Sequence, residues 1–381
     1  MIKAWVDRHM KGDPYIWAII FALSILSVLV VYSATGSLAY KKMQGDTEHY
    51  LMKHGMLVVM SLGCMWLAHK INYKYYSRLS KLALWVSVPL LIITYFVGDN
   101  INDASRWITI PIINQSFQPS DFAKLALISS LASMLAKRQA NIDDFKESFI
   151  PILLWCGVIC GLIALSNLST ALILFSTCML LMFIGRVPLK YLAMLIVVGI
   201  FAGTLALSLG QRLGTTISRI DKFFFDEEPV FQAEQSYIAI YNGGLLGRGP
   251  GNSIQRNFLP HSYSDFIYSI IVEEYGMIGG IITIFLYLAL LYRALVTVAN
   301  SERAFGGLLS AGLCFSLVMQ AMINMGVAVG LGPITGQPLP LLSMGGTSLL
   351  FTGISLGIIL SVSRGDIDET TMNIETKNVF R

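Results

Sequence analysis

The feature that most constrains this chain is its long runs without charge. Residues 304–363 contain no Asp, Glu, Lys or Arg over 60 positions, and residues 148–185 contain none over 38. A helix needs about 20 apolar residues to cross a bilayer, so each run can hold two crossings. Only 13% of all residues are charged, whereas a soluble domain carries about a quarter. The sequence therefore predicts an integral membrane protein, and its net charge of +4 gives no indication of nucleic-acid binding.

The apolar segments predict one all-α polytopic membrane domain over residues 1–381, with about ten transmembrane helices. The polar pair Ser166-Asn167 marks the turn between the fifth and sixth helices. The predicted spans are 15–40, 54–69, 82–98, 120–136, two within 148–185, 189–209, 270–292, 304–328 and 345–363.

The distribution of Lys and Arg predicts the orientation, because cytoplasmic loops are enriched in both. With both termini in the cytoplasm, residues 1–14 form the inner N-terminus and 365–381 an inner tail. The segments 99–119, 210–263 and 329–344 then lie together on the outer face, where we expect the chemistry. The inner segments hold 17 of the 27 basic residues: Lys3, Arg8, Lys11, Lys70, Lys74, Arg78, Lys81, Lys137, Arg138, Lys146, Arg186, Lys190, Arg293, Arg303, Arg364, Lys377 and Arg381.

The first outer segment carries Arg106-Trp107 and leads into the fourth span. An arginine beside an indole at headgroup level suits a lipid phosphate, although the pair also fits an interfacial anchor. Asp121 is favourable in the first turn of a helix. Lys124 can pair with Asp121 three residues earlier or contact an anionic ligand.

The second outer segment is the large extracytoplasmic loop 210–263. It contains Arg219, Gln235 and five glycines between positions 243 and 251. Long loops of this kind are commonly lids or binding loops. No Gly-Lys-Ser/Thr follows the glycines, so the pattern does not indicate a phosphate-binding P-loop.

Three carboxylates stand at the start of the eighth span. Asp265 fits either a helix N-cap or a general base. Glu273 and Glu274 follow two turns further on, in a helix that becomes continuously apolar. Acidic residues at that depth are costly and mark a cavity or a site.

The last unusual segment, 324–348, is rich in Gly and Pro. Pro333, Pro338 and Pro340 prevent a straight helix. Irregular backbone at membrane depth persists only where it is buried in protein or lines a wet cavity. We therefore expect a broken segment facing the same cavity, with Thr335 and Ser343 near a pyrophosphate.

At these residues the sequence resembles the SEDS family of cell-wall polymerases, to which FtsW and RodA belong. The resemblance covers most of the chain in order, and its last motif is long and specific. The matching motifs are Ala104-Ser-Arg-Trp-Ile, Gln118-Pro-Ser-Asp with Lys124, Gln235-Ser, Gly243-Gly-Leu-Leu-Gly, Phe258-Leu-Pro, Ser264-Asp265-Phe-Ile, Glu273-Glu274-Tyr-Gly, Pro333-x-Thr-Gly-x-Pro-Leu-Pro and Ser343-x-Gly-Gly-Thr-Ser.

The sequence departs from the family pattern at three places, and a further motif favours one branch of the family. Tyr263-Ser264 stands where the family usually has His-Thr, Asp121 replaces a glutamate, and Ser166-Asn167-Leu168 replaces Gln-Pro-Asp. Because the last change removes an acid, no role is assigned to that hairpin. Gly249-Pro-Gly-Asn-Ser resembles the cell-division branch, FtsW, more than the elongation branch, RodA.

The resemblance implies a ten-helix peptidoglycan glycosyltransferase that joins lipid II (undecaprenyl-pyrophosphate-linked disaccharide-peptide) into glycan strands. It implies a class B penicillin-binding protein and other divisome membrane proteins as partners, in the bacterial inner membrane at the septum. The family's essential aspartate falls on Asp265, and its Arg-Trp pair on Arg106 and Trp107. The predicted substrate-binding residues are Arg106, Trp107, Lys124, Arg219, Gln235, Glu273, Glu274, Thr335 and Ser343.

In the predicted mechanism, Asp265 removes the proton from the acceptor hydroxyl. Cationic side chains, or a divalent cation such as Mg²⁺ or Mn²⁺, stabilise the leaving pyrophosphate. Three alternatives stay open: a lipid II flippase or another lipid-linked sugar transporter, the elongation polymerase, and a divisome scaffold. Internal inverted repeats would favour a transporter, and none is evident in the sequence.

Overall fold

The computed structural model describes residues 10–36, 38, 47–100, 105–110, 115–209, 213–225 and 230–379. Several residues used in the predictions lie outside these ranges: Lys3, Arg8, Ala104 and Arg381.

The described residues form ten helices of at least 17 residues, close to the predicted spans. Seven of them are long and apolar enough to cross a membrane, and two more are apolar but shorter. The remaining one, α4 (Pro119–Lys137), carries three charged residues. The all-α membrane architecture is confirmed, and the count of ten crossings stays a prediction. The helices are α1 Pro14–Ala34, α2 Thr47–Lys70, α3 Tyr76–Val97, α4 Pro119–Lys137, α5 Ile150–Ser166, α6 Leu168–Ile184, α7 Leu189–Leu209, α10 Ile267–Asn300, α11 Ala304–Ala328 and α12 Thr347–Val379.

Local sequence accounts for two of the helix starts. The Asp13 carboxylate accepts the N–H of Tyr15 at 2.8 Å, and Pro14 follows at the first helical position, as expected for an N-terminus. Asn167 caps α6 by accepting the Thr170 N–H at 3.3 Å. The predicted turn at Ser166-Asn167 is therefore confirmed.

The outer segments contain structure that the sequence patterns missed. Three short antiparallel strands, β1 Asp99–Asn100, β2 Ser105–Ile110 and β3 Gln115–Phe117, join in the order β1-β2-β3 before α4 begins. The large loop 210–263 is partly helical, with α8 Leu213–Phe224 and α9 Phe231–Gly243.

Helix α10 is longer than predicted and bends at one glycine. Gly276 has φ +71° and ψ −174°, so the helical path is interrupted there. At this bend the loop donates to the helix: Arg248 N–H bonds the carbonyl of Glu273 at 2.9 Å, and Gly249 N–H bonds that of Glu274 at 3.0 Å. The break in α10 therefore joins the glycine-rich loop to the membrane domain.

Helix α11 forms the centre of the bundle. In its most apolar stretch 72% of the residues are buried, against 28% in that of α3. It packs against α4, α6, α10 and α12. Beyond Ala328 the chain is irregular until α12 begins at Thr347, which confirms the predicted break. The first five residues of 324–348 are still helical, and α12 continues into the predicted tail.

Candidate active site

Asp265 is not the cap of α10. The cap position is Phe266, and no side chain bonds the free N–H groups of that helix start. Instead one carboxylate oxygen of Asp265 accepts the Ser264 hydroxyl at 2.7 Å, and the side chain lies half-buried on a cavity wall. The N-cap interpretation is therefore wrong, and the carboxylate is available to a ligand.

The cavity at Asp265 has a volume of about 370 Å³ and collects polar groups from distant parts of the chain. Arg106 and Trp107 from β2 line it together with Lys124 from α4. The structure thus brings four of the predicted site residues into one space. Lys53 and Gln118 line it as well, with Asn167, Gln320 and Gln337.

The broken segment holds Asp265 in place through backbone contacts. Asn324 Nδ2 donates to the carbonyls of Asp265 and Gln337, both at 2.7 Å. The Ser343 hydroxyl donates to the Ser264 carbonyl at 2.5 Å and accepts the Leu339 N–H at 2.7 Å. Ser343 is only 2% exposed, so in this structure it positions the chain beside Asp265.

Gly336 supplies a left-handed backbone conformation in the broken segment beside Asp265. Its φ is +64°, and a Cβ there would lie 3.5 Å from the second carboxylate oxygen of Asp265. The distance leaves room for a side-chain carbon, so it is the positive φ that favours glycine at this position. Within the described residues, the neighbouring Thr335 lines neither this cavity nor the adjoining groove that Arg219 lines.

Lys124 and Arg106 are held by neighbours in different ways. Lys124 Nζ lies 2.8 Å from an Asp121 carboxylate oxygen and 3.3 Å from Gln320 Oε1, which confirms the predicted pairing with Asp121. Arg106 Nε donates to the Ser166 carbonyl at 3.0 Å. The hairpin to which the sequence assigned no role therefore positions Arg106.

Arg219 lies outside the Asp265 cavity, in a neighbouring groove of about 600 Å³ between α8, α9 and the broken segment. Its Nη1 donates to the Ile334 carbonyl at 3.0 Å. Burial lowers the pKa of Arg219, and the charge of Asp265 opposes that shift. Burial raises the pKa of Tyr263, and the charge of Asp265 raises it further. The carboxylate thus acts electrostatically on groups from both sides.

Glu273 and Glu274 line neither cavity among the described residues, because both are buried, at 0% and 1% exposure. Glu273 accepts the backbone N–H groups of Ile254 at 3.0 Å and Gln255 at 3.3 Å, and also the Ser253 hydroxyl. Glu274 accepts the hydroxyl of Ser33 and the N–H of Ser253. Their place in the structure is to fasten the loop to α1 and α10.

The glycine-rich run packs against α10 at positions where a side chain would not fit. A Cβ at Gly243 would come 2.1 Å from the Val272 carbonyl oxygen, and one at Gly247 would come 2.2 Å from that of Glu274. These glycines provide close packing between loop and helix. Gln235, on the neighbouring α9, lines neither cavity among the described residues.

Sequence reasoning missed Gln320 and Lys53, which line the cavity, and Asn324, which bonds the Asp265 carbonyl beside it. Gln320 and Asn324 are four positions apart in the apolar helix α11 and so share one face. Lys53 lies in the second turn of the second helix, one residue before the predicted span 54–69. An amide within an apolar run was the available signal for Gln320 and Asn324, whereas Lys53 had no such signal.

The described residues contain no group of three His, Cys, Asp or Glu side chains arranged to hold a metal ion. At the cavity the acidic groups are Asp265 and Asp121, and Asp121 is already paired with Lys124. These donors do not make a protein cage for Mg²⁺ or Mn²⁺, which prefer several oxygen ligands. No ligand set is assigned to either ion.

Comparison with known proteins extends along nearly the whole chain. The relatives include a protein of Geobacter metallireducens named "Probable peptidoglycan glycosyltransferase FtsW", 32% identical over 363 residues that cover 94% of this chain and 95% of the relative. They also include stage V sporulation protein E of Bacillus subtilis, 32% identical over 369 residues, with 93% and 98% coverage.

Solved structures agree with the sequence comparison. The rod shape determining protein RodA of Thermus thermophilus is 25% identical, with a TM-score of 0.68 over 93% of this chain and 97% of that one. A chain from a peptidoglycan synthase complex, at 24% identity and a TM-score of 0.69, shares the fold over 93% and 98%. The family model described as "Cell cycle protein", covering FtsW, RodA and SpoVE, matches residues 14–367, and the chain belongs to this SEDS family.

Proposed function

We propose that this protein is a peptidoglycan glycosyltransferase that polymerises lipid II at the outer face of the inner membrane. The main observation behind the proposal is the environment of the Asp265 carboxylate. Its carboxylate caps no helix and stands in a cavity of about 370 Å³ beside Arg106, Lys124 and Lys53. The names of the relatives support the same reaction.

Asp265 acts as the general base in this proposal. The acceptor sugar hydroxyl gives its proton to the carboxylate while its oxygen bonds to the anomeric carbon of the donor. The bond from that carbon to the lipid pyrophosphate breaks, and the anomeric centre is inverted in one displacement. The Ser264 hydroxyl and the Asn324 amide fix the orientation of Asp265, as proton transfer at hydrogen-bond distance requires.

The leaving pyrophosphate is stabilised by cations across the cavity. Arg106 presents a guanidinium, which can bind phosphate oxygens in a two-point geometry, and Trp107 lines the same cavity. Lys124 keeps a defined position between Asp121 and Gln320. Arg219, in the adjoining groove, is positioned to bind a phosphate of the second lipid substrate. Preorganised charges of this kind account for much of the rate enhancement in such reactions.

The cavity favours surface chemistry over transport. Beyond Asp121 and Lys124 the space continues toward the other membrane face as a pocket of only about 30 Å³ between α4, α11 and α12. A flippase needs polar groups across the full depth. Here the charged groups around Asp265 lie in one cavity at one end of the bundle, and the narrow pocket does not continue them across it.

The partner and the cellular site are part of the proposal. A class B penicillin-binding protein would crosslink the strands, which agrees with the fold shared with a peptidoglycan synthase complex. The FtsW-named relatives and the Gly249-Pro-Gly-Asn-Ser motif favour cell division. A fluorescent fusion should form a band at the septum, and a lateral-wall pattern would assign the protein to elongation instead.

The experiment is polymerisation of purified lipid II by the protein with its transpeptidase partner. Asp265→Asn should reduce strand synthesis by about 10²- to 10⁴-fold, the range for loss of a general base, while lipid II binding persists. Asp221→Asn is the matched control, since Asp221 is an exposed acid on the same outer face. Equal strand yields from wild type and Asp265→Asn would refute the assignment.

A further inference from the structure

A second basic cavity lies at the opposite end of α4 from the candidate active site. Its volume is about 490 Å³, and it opens between the ends of α3, α4 and α5. Lys124 and Lys137 mark the two ends of α4 and are separated by about 20 Å at 1.5 Å rise per residue. The cavity, which we call the basic groove, therefore lies on the face predicted to be cytoplasmic.

Positive charge converges on the basic groove. Lys81 of α3, Lys137 of α4 and the adjacent Arg138 line it, and Arg78 is close enough to act electrostatically on Lys137. No carboxylate belongs to the lining. The nearest contact with an acidic residue, between Arg138 Nε and Glu147 at 3.1 Å, goes to a backbone carbonyl.

The cations have no ion-pair partners within the described ranges. The ion pairs of that part of the chain include those of Lys124 with Asp121 and of Arg293 with Asp13, and neither involves the basic groove. Like charges held together without counter-charge are destabilising. An anionic ligand would relieve this repulsion.

One wall of the groove is aromatic, and its Trp85 is exposed at the surface of the helix bundle. Trp85 and Trp155 meet edge to face, with ring centroids 4.8 Å apart and planes at 85°. Trp85 is 68% exposed and lies one helical turn from Lys81. Tryptophan is enriched where acyl chains meet headgroups, so the site combines an apolar wall with a charged floor.

A buried hydroxyl in the groove supplies an independent indication of a ligand. Ser130 is 1% exposed, lines the groove, and has no hydrogen-bond partner for its Oγ among the described residues. Its neighbour Ser133, equally buried, bonds Ser77 at 2.6 Å. Because a buried hydroxyl without a partner is costly, Ser130 marks a position for a ligand oxygen.

We propose that the basic groove binds the phosphate headgroup of an anionic phospholipid from the cytoplasmic leaflet. The general enrichment of Lys and Arg at this face explains their number but not their convergence with an unpaired buried serine. Basic pockets between transmembrane helices on this side are suited to such headgroups. The phosphate lies among Lys81, Lys137 and Arg138, and the acyl chains pass beside Trp85 and Trp155.

The test is lipid binding to the purified full-length protein by native mass spectrometry, with dioleoyl-phosphatidylglycerol and dioleoyl-phosphatidylcholine as probes. Wild type should bind the first phosphatidylglycerol about tenfold more tightly than phosphatidylcholine. Lys81→Gln with Lys137→Gln should abolish this preference, and Lys81→Arg with Lys137→Arg should keep it. Ser130→Ala should weaken phosphatidylglycerol binding about threefold without lowering the melting temperature.

The control removes the same charge from the same face, through Lys74→Gln with Lys190→Gln, and should change the preference less than twofold. An unchanged preference in the Lys81→Gln, Lys137→Gln protein would overturn the proposal, as would an equal loss in the control. Inorganic phosphate is the third probe. If it displaces the bound lipid, the groove is a site for a soluble anion and the lipid assignment is wrong.

Discussion

Helix α10 has acidic side chains in two environments, one before its first turn and one two turns further in. Asp265 is half-buried, accepts one side-chain hydrogen bond and faces a cavity. Glu273 and Glu274 are fully buried and accept their bonds from the loop and from α1. The deeper acids attract attention in a sequence, but the fold itself supplies their donors: both oxygens of Glu273 and one oxygen of Glu274 accept hydrogen bonds from protein groups. The shallower acid retains capacity for a substrate.

The largest expected effect is a loss of activity at Asp265 with little change in stability. Asp265→Asn should lower polymerisation by about 10²- to 10⁴-fold and change the free energy of unfolding by less than about 1 kcal/mol, because Asn can still accept the Ser264 hydroxyl. Strand synthesis and thermal unfolding of the same preparation measure the two effects. A variant that loses both together would mean that Asp265 is structural.

Glu273→Ala should lose stability while keeping most of its activity. It leaves the N–H groups of Ile254 and Gln255 and the hydroxyl of Ser253 without their acceptor, at a cost of about 3 kcal/mol. Activity per folded molecule should stay within a few-fold of wild type. Glu234→Ala, at an exposed glutamate on α9, should cost less than about 0.5 kcal/mol. Similar melting temperatures for the two variants would contradict the fastening role of Glu273.

The contact between loop and helix can be tested with two glycines of equal backbone angle. Gly247 and Gly251 both have φ +81°, but a Cβ would meet the Glu274 carbonyl at 2.2 Å only in the first, and nothing within 4 Å in the second. Gly251→Ala should cost about 1 kcal/mol from backbone strain. Gly247→Ala should cost about 2 kcal/mol more from overpacking. Equal losses in thermal unfolding would show that the close packing is unimportant.

The helices could be predicted from the sequence because apolar runs are local signals. The break after Ala328 was predictable for the same reason, from Pro333, Pro338 and Pro340. The partners of Glu273 could not be predicted, since they come from a loop whose fold depends on the bend at Gly276. The cation set was incomplete because Lys53 meets the cavity only through the packing of α2. Asp265 was recognised, but only the structure excluded the helix cap and so left the proposed role as a base.

The smallest expected effect concerns Ser343, which supports Asp265 without facing the substrate. Ser343→Ala removes the bonds to the Leu339 N–H and the Ser264 carbonyl and should cost about 1 kcal/mol of stability. Because the Ser264 carbonyl adjoins Asp265, kcat should fall a few-fold while KM for lipid II stays unchanged. Ser355→Ala removes a buried hydroxyl that bonds the Phe351 carbonyl at 2.8 Å within α12. It should cost similar stability with no change in kcat, and an equal fall in kcat would mean that Ser343 acts only through general stability.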